Sequence, residues 1–281
     1  MMRISLILFC SFLLAACGSP AANTAKNMAS SNAAASPSVV PEFQPKAEAV
    51  TFDAPDGVKL VGSFYKAQKV NSPAVLLMHQ WEANRHTFDE FAERINKAGY
   101  AVLSLDGRGF GDSTKTADGK SVKAGRTDAD VKAMLGDVNS AVEFLGKQEN
   151  VDANKIGIVG ASYGSSLAIL YAADHPNIAA VVLLSPGLNY FGNMPTEPAV
   201  KKYGSRPILL VAAEDDKESA DAVRQLKEVS ANPKAEATVY ADGGHGTAIF
   251  AYRDPDDSAA RPLADLMHKF LAKAFKTEAA K

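Results

Sequence analysis

Residues Ile156 to Gly164 read Ile-Gly-Ile-Val-Gly-Ala-Ser-Tyr-Gly, and this stretch decides the fold. Its first four residues form a short apolar run, which is typical of a strand covered on both faces of a sheet. The G-x-S-x-G string follows at once, and a helical stretch begins at Ser165. The string alone is a weak motif, but a serine between a buried strand and a helix sits at a sharp turn with its hydroxyl presented outward. Ser162 is therefore the candidate nucleophile.

Strands and helices alternate in both directions from Ser162. Apolar runs and amphipathic stretches predict a hairpin at 49–65, strands at 74–78, 100–105, 180–184, 208–211 and 238–240, and helices at 85–97, 128–147, 165–173, 221–229 and 262–275. This alternation predicts an α/β fold with a mostly parallel central sheet and helices on both faces. Sites in such sheets form beyond the carboxyl ends of the strands, so the loops that follow the strands are the places to search.

Two strings in this chain resemble the α/β-hydrolase family. One is Gly160–Gly164 in its strand–turn–helix context, and the other is Asp106–Ser113, which matches D-x-R-G-x-G-x-S and is expected to have a structural role. The resemblance extends from about residue 48 to the end and implies an α/β-hydrolase fold. It is similar to small carboxylesterases and the dienelactone-hydrolase group, although a serine replaces the cysteine nucleophile of the latter. Only Ser185–Arg206 lies where many relatives insert a lid, which predicts little or no lid and an open site.

The resemblance also implies a base and an acid for Ser162, because a serine hydroxyl is a poor nucleophile until a base takes its proton. His245 follows a predicted strand in a glycine-rich loop, and its place after the acid candidates gives the family order of serine, acid, histidine. The family pattern G-x-x-D, with Ala213 in the place of the glycine, selects Asp216 as the acid. Asp215 is the alternative, and the two acids of the cluster that do not serve are expected to be solvated or to cap a helix.

An oxyanion hole needs two preorganised N–H donors. The resemblance implies that the backbone of Tyr163 supplies one, since it follows the nucleophile, and that the loop after the strand ending at Met78 supplies the other. By position the second donor is Trp81, which is also a candidate wall of the acyl pocket or a loop aromatic packed on the domain. Gln80 stands where the family commonly has glycine, and this departure puts the geometry of the hole in doubt.

The amino terminus predicts export and lipid anchoring. Residues 1–16 combine a positive start, an apolar run too short for a comfortable membrane span, and small residues, which is a secretory signal layout. Leu14–Cys17 resembles the bacterial lipobox, and this implies acylation of Cys17, for example with palmitate. Residues 17–47 are rich in Ala, Ser, Asn and Pro and are predicted to form a flexible tether, with the hydrolase domain at 48–281. The expected location is the bacterial cell envelope, and the absence of aspartate after Cys17 favours the outer membrane.

Composition excludes several classes of function. The formal net charge is -2, and there is no basic stripe with interleaved aromatic residues, so nucleic acid is not an expected partner. Both cysteines, Cys10 and Cys17, lie in the predicted signal region, which excludes a thiolate zinc site or a catalytic cysteine in the domain. We expect no metal and no organic cofactor. The only expected membrane contact is the lipid anchor.

These features together predict a serine hydrolase, in particular a carboxylic-ester hydrolase that acts on small or short-chain acyl esters through an acyl-enzyme. One alternative is a peptidase or thioesterase with the same triad. Another is a non-catalytic envelope binding protein of the same fold, since fold alone does not establish activity.

Overall fold

The computed structural model describes residues 43–257 and 260–277. The predicted signal peptide at 1–16, Cys17 and most of the predicted tether lie outside the described residues. The first strand begins at Ala47, one residue before the predicted domain boundary. In the part of the chain that is described, none of the helices combines the length and apolar character needed to cross a bilayer.

Strands and helices alternate through most of the described residues. The strands are β1 (Ala47–Asp53), β2 (Val58–Tyr65), β3 (Ser72–Met78), β4 (Ala101–Leu105), β5 (Lys115–Thr116), β6 (Val151–Ala161), β7 (Ile178–Leu184), β8 (Asn189–Tyr190), β9 (Met194–Pro195), β10 (Ile208–Ala213) and β11 (Glu236–Tyr240). The α-helices are α1 (Asp89–Lys97), α2 (Asp128–Gly146), α3 (Tyr163–Asp174), α4 (Thr196–Tyr203), α5 (Lys217–Val229) and α6 (Pro262–Phe275), and the 3-10 helices are Arg85–Phe88 and Gly246–Ala251.

The central sheet has the strand order β1-β2-β4-β3-β6-β7-β10-β11, and the short β5 pairs with β2. All pairs from β4 to β11 are parallel, whereas β2 pairs antiparallel with β1, β4 and β5 at one edge. Because the parallel strands point the same way, the loops after β3, β6, β7, β10 and β11 meet at one edge of the sheet. The predicted α/β-hydrolase fold, with its mostly parallel sheet, is confirmed.

The sheet is covered on both faces. One core cluster joins the sheet to α2, α3, α4 and α5 through side chains such as Val138, Leu167 and Leu226. The other joins the opposite face to α1 and α6 through side chains such as Ile95 and Met267. In the strands Ala74–Met78 and Ile156–Ala161 nearly every residue is buried, which explains why these strands appear in the sequence as continuous apolar runs.

The segment between β7 and β10 contains more structure than the sequence predicted. The hairpin β8–β9 is followed by α4, whose Val200 and Tyr203 are buried in the same cluster as α3 and α5. The helix therefore extends the layer that covers the sheet, and the hairpin is the part that carries Tyr190 and Phe191.

The loop Asp106–Ser113 has the structural role that was expected. Asp106 is fully buried and accepts hydrogen bonds from the backbone and guanidinium of Arg85 and from the backbone N–H of Asp112. Arg108 donates twice to Asp137, at 2.6 Å each, and twice to Asp56, at 2.7 and 3.1 Å. These buried, hydrogen-bonded ion pairs fix the loop beside β4 and β3.

Candidate active site

Ser162 occupies the tight turn between β6 and α3, with φ 53° and ψ -124°. A side-chain-bearing residue in this region costs about 1–3 kcal/mol and persists only where the surroundings hold it. Its N–H donates to the carbonyl of Leu184 at 2.8 Å, and its carbonyl accepts from the backbone and the hydroxyl of Ser165 at 2.8 and 2.6 Å. The turn is therefore fixed from both sides.

The two glycines of the G-x-S-x-G string are required by close backbone approach. A Cβ on Gly160 would lie 2.1 Å from the carbonyl oxygen of Gly164. A Cβ on Gly164 would lie 2.7 Å from the carbonyl oxygen of His79 and 2.8 Å from that of Met78. The loop after β3 thus packs directly on the amino terminus of α3.

His245 and Asp216 meet at the carboxyl edge of the sheet. Asp216 follows β10, His245 follows β11, and the imidazole Nδ1 lies 2.7 Å from the carboxylate Oδ2. A carboxylate can only accept, so Nδ1 carries the hydrogen and the lone pair of Nε2 is left to act as a base. The Asp216 side chain is 15% exposed and that of His245 is 45% exposed, so the acid is shielded while the ring is open to solvent.

The neighbouring Asp215 does not contact the imidazole. Its carboxylate accepts from the backbone N–H of Gly244 at 3.0 and 3.1 Å, and from that of Gly243 at 3.3 Å. It therefore holds the backbone of the loop that carries His245. Between the two acids weighed from the sequence, the geometry brings Asp216 to the ring and gives Asp215 a different contact.

The loop of His245 is attached close to the nucleophile turn. The N–H of Gly246 donates to the hydroxyl of Ser185 at 2.8 Å, and Ser185 directly follows Leu184, whose carbonyl holds Ser162. Leu184 and Ser185, two consecutive residues at the end of β7, thus link the turn of Ser162 to the loop of His245.

Tyr190 is a site residue that the sequence analysis did not single out. Its hydroxyl donates to the carbonyl of Ser185 at 2.9 Å. Burial raises the pKa of Tyr190, and hydrogen bonds from the side chains of Ser162 and Ser219 oppose that rise. The phenol of Tyr190 therefore lies beside the side chain of Ser162. The only signal in the sequence was an aromatic pair in the short segment after β7.

The loop after β3 accommodates Gln80 without backbone strain. The N–H of Ala83 donates to the carbonyl of Gln80, which closes a turn, and the positive φ in this turn falls on Glu82, at 62°. Gln80 therefore fits in the place of the family glycine without a positive φ. Within the described residues, neither the N–H of Trp81 nor that of Tyr163 donates to a backbone acceptor.

Aromatic rings line the approach to this edge. The Trp81 ring lies 4.9 Å from that of Phe110, 5.4 Å from that of Tyr163 and 4.9 Å from that of Phe191, measured between centroids. The guanidinium of Arg126 lies 4.7 Å over the Trp81 ring and 5.0 Å over the Phe191 ring, a cation–π arrangement. Trp81 therefore packs on the domain within a cluster of aromatic rings.

Within residues 43–257 and 260–277, His, Cys, Asp and Glu side chains nowhere form a group of three that could hold an ion.

Comparison with known proteins identifies the family of this chain. The model of the dienelactone hydrolase family matches residues 61–276. This chain belongs to the dienelactone hydrolase family. The resemblance to α/β-hydrolases, and to the dienelactone-hydrolase group among them, is confirmed.

Several relatives of this dienelactone hydrolase family member are informative. An uncharacterized protein of Mycobacterium tuberculosis is 26% identical over 245 residues, which cover 81% of this chain and 80% of that protein. The bifunctional esterase/perhydrolase of Acinetobacter calcoaceticus is 32% identical over 133 residues, which cover 46% of this chain and 42% of that protein. Family membership and the likeness to this esterase support hydrolase activity on esters.

Solved structures show the same fold. Dienelactone hydrolase from Anabaena variabilis aligns with a TM-score of 0.60 at 18% identity, covering 82% of this chain and 99% of that one. Acetyl xylan esterase 1 from Thermoanaerobacterium aligns with a TM-score of 0.65 at 18% identity, covering 85% of this chain and 86% of that one. At these identities the likeness establishes the architecture alone.

The close approach at Gly164 generates a stability prediction. Gly164→Ala should lower the free energy of unfolding by about 1–3 kcal/mol, because the new methyl would press on two backbone carbonyls that cannot move independently. Urea unfolding measures this. Gly136→Ala is the matched control: it lies in α2, the added Cβ would meet nothing closer than 3.6 Å, and helix propensity favours alanine. Equal stability of the two variants would show that the turn is not tightly packed.

Proposed function

We propose that this protein is a serine carboxylic-ester hydrolase with Ser162 as nucleophile, His245 as base and Asp216 as the acid that orients the base. The observation that carries the proposal is the 2.7 Å hydrogen bond between His245 Nδ1 and Asp216 Oδ2, formed by two strand-end residues at the edge where Ser162 turns outward. Such an arrangement gives a weak nucleophile the adjacent base that it requires.

The reaction follows from these roles. Ser162 Oγ attacks the ester carbonyl carbon while His245 Nε2 takes its proton, and Asp216 stabilises the imidazolium that forms. The tetrahedral intermediate collapses, the C–O bond breaks, and the imidazolium returns the proton to the leaving alcohol. Water then attacks the acyl-enzyme with His245 again as base, which releases the carboxylic acid and regenerates Ser162.

The proposed oxyanion donors are the N–H groups of Tyr163 and Trp81. Tyr163 is the first residue of α3, so its N–H is one of the helix's unpaired donors and lies at the positive end of the helix dipole. The approach of Gly164 to the carbonyls of Met78 and His79 supports a shared site for the two donors. Fixed donors of this kind stabilise the developing negative charge without reorganisation.

The substrates proposed are small or short-chain acyl esters. The segment after β7 forms the two-stranded hairpin β8–β9 near this edge, while α4 packs in the helical layer that covers the sheet. The Arg126 guanidinium covers faces of Trp81 and Phe191, so those faces are not available to a long acyl chain. A short acyl group needs less apolar surface than a lipid chain would.

A thioesterase activity at the same residues is the second candidate. A thiohydrolase of Aspergillus aculeatus is 29% identical over 138 residues, which cover 49% of this chain and 41% of that protein. Thioester and ester cleavage share the acyl-enzyme, so both classes belong in one substrate panel.

Labelling with a fluorophosphonate probe tests the nucleophile. The wild type should become labelled and should hydrolyse p-nitrophenyl acetate, while Ser162→Ala should do neither, because the probe reacts with an activated serine hydroxyl. Ser205→Ala is the matched control and should keep both labelling and activity, since this exposed serine precedes β10 and so lies at the opposite edge of the sheet from Ser162. An unlabelled, inactive wild type would favour the non-catalytic binding protein. Comparison of p-nitrophenyl esters, acyl thioesters and aminoacyl amides then ranks the possible activities.

Substitution of the proposed acid should affect the rate of chemistry. Asp216→Asn should lower kcat by roughly 10⁴-fold, because an amide nitrogen facing Nδ1 would favour the tautomer that blocks Nε2. Glu214→Gln is the control, since this exposed carboxylate pairs with Arg224 and does not contact the ring. A larger loss in Asp215→Asn than in Asp216→Asn would reverse the assignment of the acid.

We also propose that Cys17 is lipidated and anchors the protein in the bacterial envelope, with the outer membrane favoured. The support is the lipobox-like Leu14–Cys17 and the tether-like composition that follows. Several acyl chains on one cysteine would give stable attachment, whereas one chain gives only marginal attachment.

Cell fractionation tests the anchor. Cys17→Ser should move the protein from the membrane fraction to the soluble fraction and abolish incorporation of radiolabelled palmitate. Cys10→Ser should change neither result, because residue 10 lies within the predicted signal peptide. Membrane retention of Cys17→Ser would count against lipidation at this residue.

A further inference from the structure

The loop that carries His245 has little stiffness of its own. Three of its glycines have positive φ: Gly243 at 142°, Gly244 at 70° and Gly246 at 63°. Glycine populates many conformations in an unrestrained chain, so contacts from outside the loop must hold the imidazole in one place.

Asp216 holds the ring itself, and three further side chains from outside hold the loop on either side of it. Asp215 and Ser185 accept from backbone N–H groups on either side of His245. The third is Gln80, whose side-chain Oε1 accepts from the hydroxyl of Thr247 at 3.0 Å and from its N–H at 3.5 Å. Gln80 differs from the other two because it lies in the loop of the proposed oxyanion donor.

Gln80 also packs against the base loop. A Cβ on Gly246 would lie 3.2 Å from Gln80 Oε1 and 3.3 Å from its Cδ, so the amide group lies against the Cα of the residue after His245. Thr247 is 9% exposed, and its hydrogen bond to Gln80 is therefore largely shielded from water. Shielded hydrogen bonds restrain geometry more than solvent-exposed ones do.

The backbone of Gln80 is itself anchored through His79. The Nε2 atom of His79 accepts from the N–H of Gly107 at 2.9 Å, which places the hydrogen on Nδ1. Nδ1 then donates to the carbonyl of Gln80 at 2.7 Å. Burial lowers the pKa of His79, which favours this neutral, bridging form. The anchor therefore runs from the loop after β4, through His79, to Gln80.

We propose that Gln80 is a positioning residue that ties the oxyanion loop to the base loop, so that Trp81 N–H and His245 Nε2 keep a fixed spacing across the substrate carbonyl. This inference rests on the proposed hydrolase function. The family commonly has glycine at this position. Gln80 differs from glycine by its side chain, and that side chain makes the connection. The Nε2 donor of Gln80 has no protein partner among the described residues, so only an acceptor is needed at this position.

A double-mutant cycle with Gln80→Ala and Thr247→Val tests the connection. The kcat and KM for p-nitrophenyl acetate are measured for the wild type, both single variants and the double variant. Each single variant should lose about 10- to 100-fold in kcat with little change in KM, because misplacement of catalytic groups affects the chemical step. The double variant should be no slower than the slower single variant, since either change alone breaks the connection.

Conservative variants separate positioning from packing. Gln80→Glu and Thr247→Ser keep the acceptor and the donor and should retain most of kcat. Gln225→Ala removes an exposed amide that bonds Glu197 on another helix, and it should leave kcat unchanged. Thermal unfolding of all variants shows whether a lower kcat merely reflects a lower Tm.

Two outcomes would overturn the proposal in an active enzyme. In the first, the loss in kcat of the double variant equals the product of the two single losses. In the second, the loss in kcat follows a loss in Tm, and Gln80→Glu does not restore kcat. A wild type that neither hydrolyses the ester nor is labelled at Ser162 would overturn the proposed function as well, so the two failures are distinguishable.

Discussion

The strained turn at Ser162 is the constraint on which the rest of the site depends. A φ of 53° at a serine is tolerated only because β6, α3 and the strand end at Leu184 hold the backbone on every side. Those same contacts leave no room for side chains at Gly160 and Gly164, and they draw the carbonyls of Met78 and His79 against the helix. The loop after β3 is therefore positioned by the packing that permits the strain.

Local patterns were enough to predict the parallel sheet and the candidate serine, while the family resemblance supplied Asp216 and His245 as candidate partners. Buried parallel strands appear as continuous apolar runs, and glycine and proline mark where they end. Once the strands are known to be parallel, their carboxyl ends must share an edge, so residues 162, 216 and 245 can be placed near one another without coordinates. The choice between Asp215 and Asp216 needed the family spacing, because both follow β10 and either could face the ring.

The residues that were missed depend on contacts between distant segments. Tyr190 reaches Ser185 and Ser162 only because the hairpin β8–β9 folds back over the sheet edge. The bond between Gln80 and Thr247 joins residues 167 positions apart, and no periodicity encodes such a pair. Helix α4 is eight residues long, and its place is decided by burial of Val200 and Tyr203 against α3 rather than by its own propensity.

The adjacent carboxylates after β10 show how one sequence feature can serve two purposes. Three like charges in a row repel one another unless each has a partner, and here each has a different one. Glu214 pairs with Arg224, Asp215 binds the backbone N–H groups before His245, and Asp216 binds the imidazole itself. Asp215 and Asp216 thus fix His245 at two levels, the backbone that carries the ring and the ring itself. A strand end that offers two consecutive acids can orient a base on a glycine-rich loop in a way that a single acid could not.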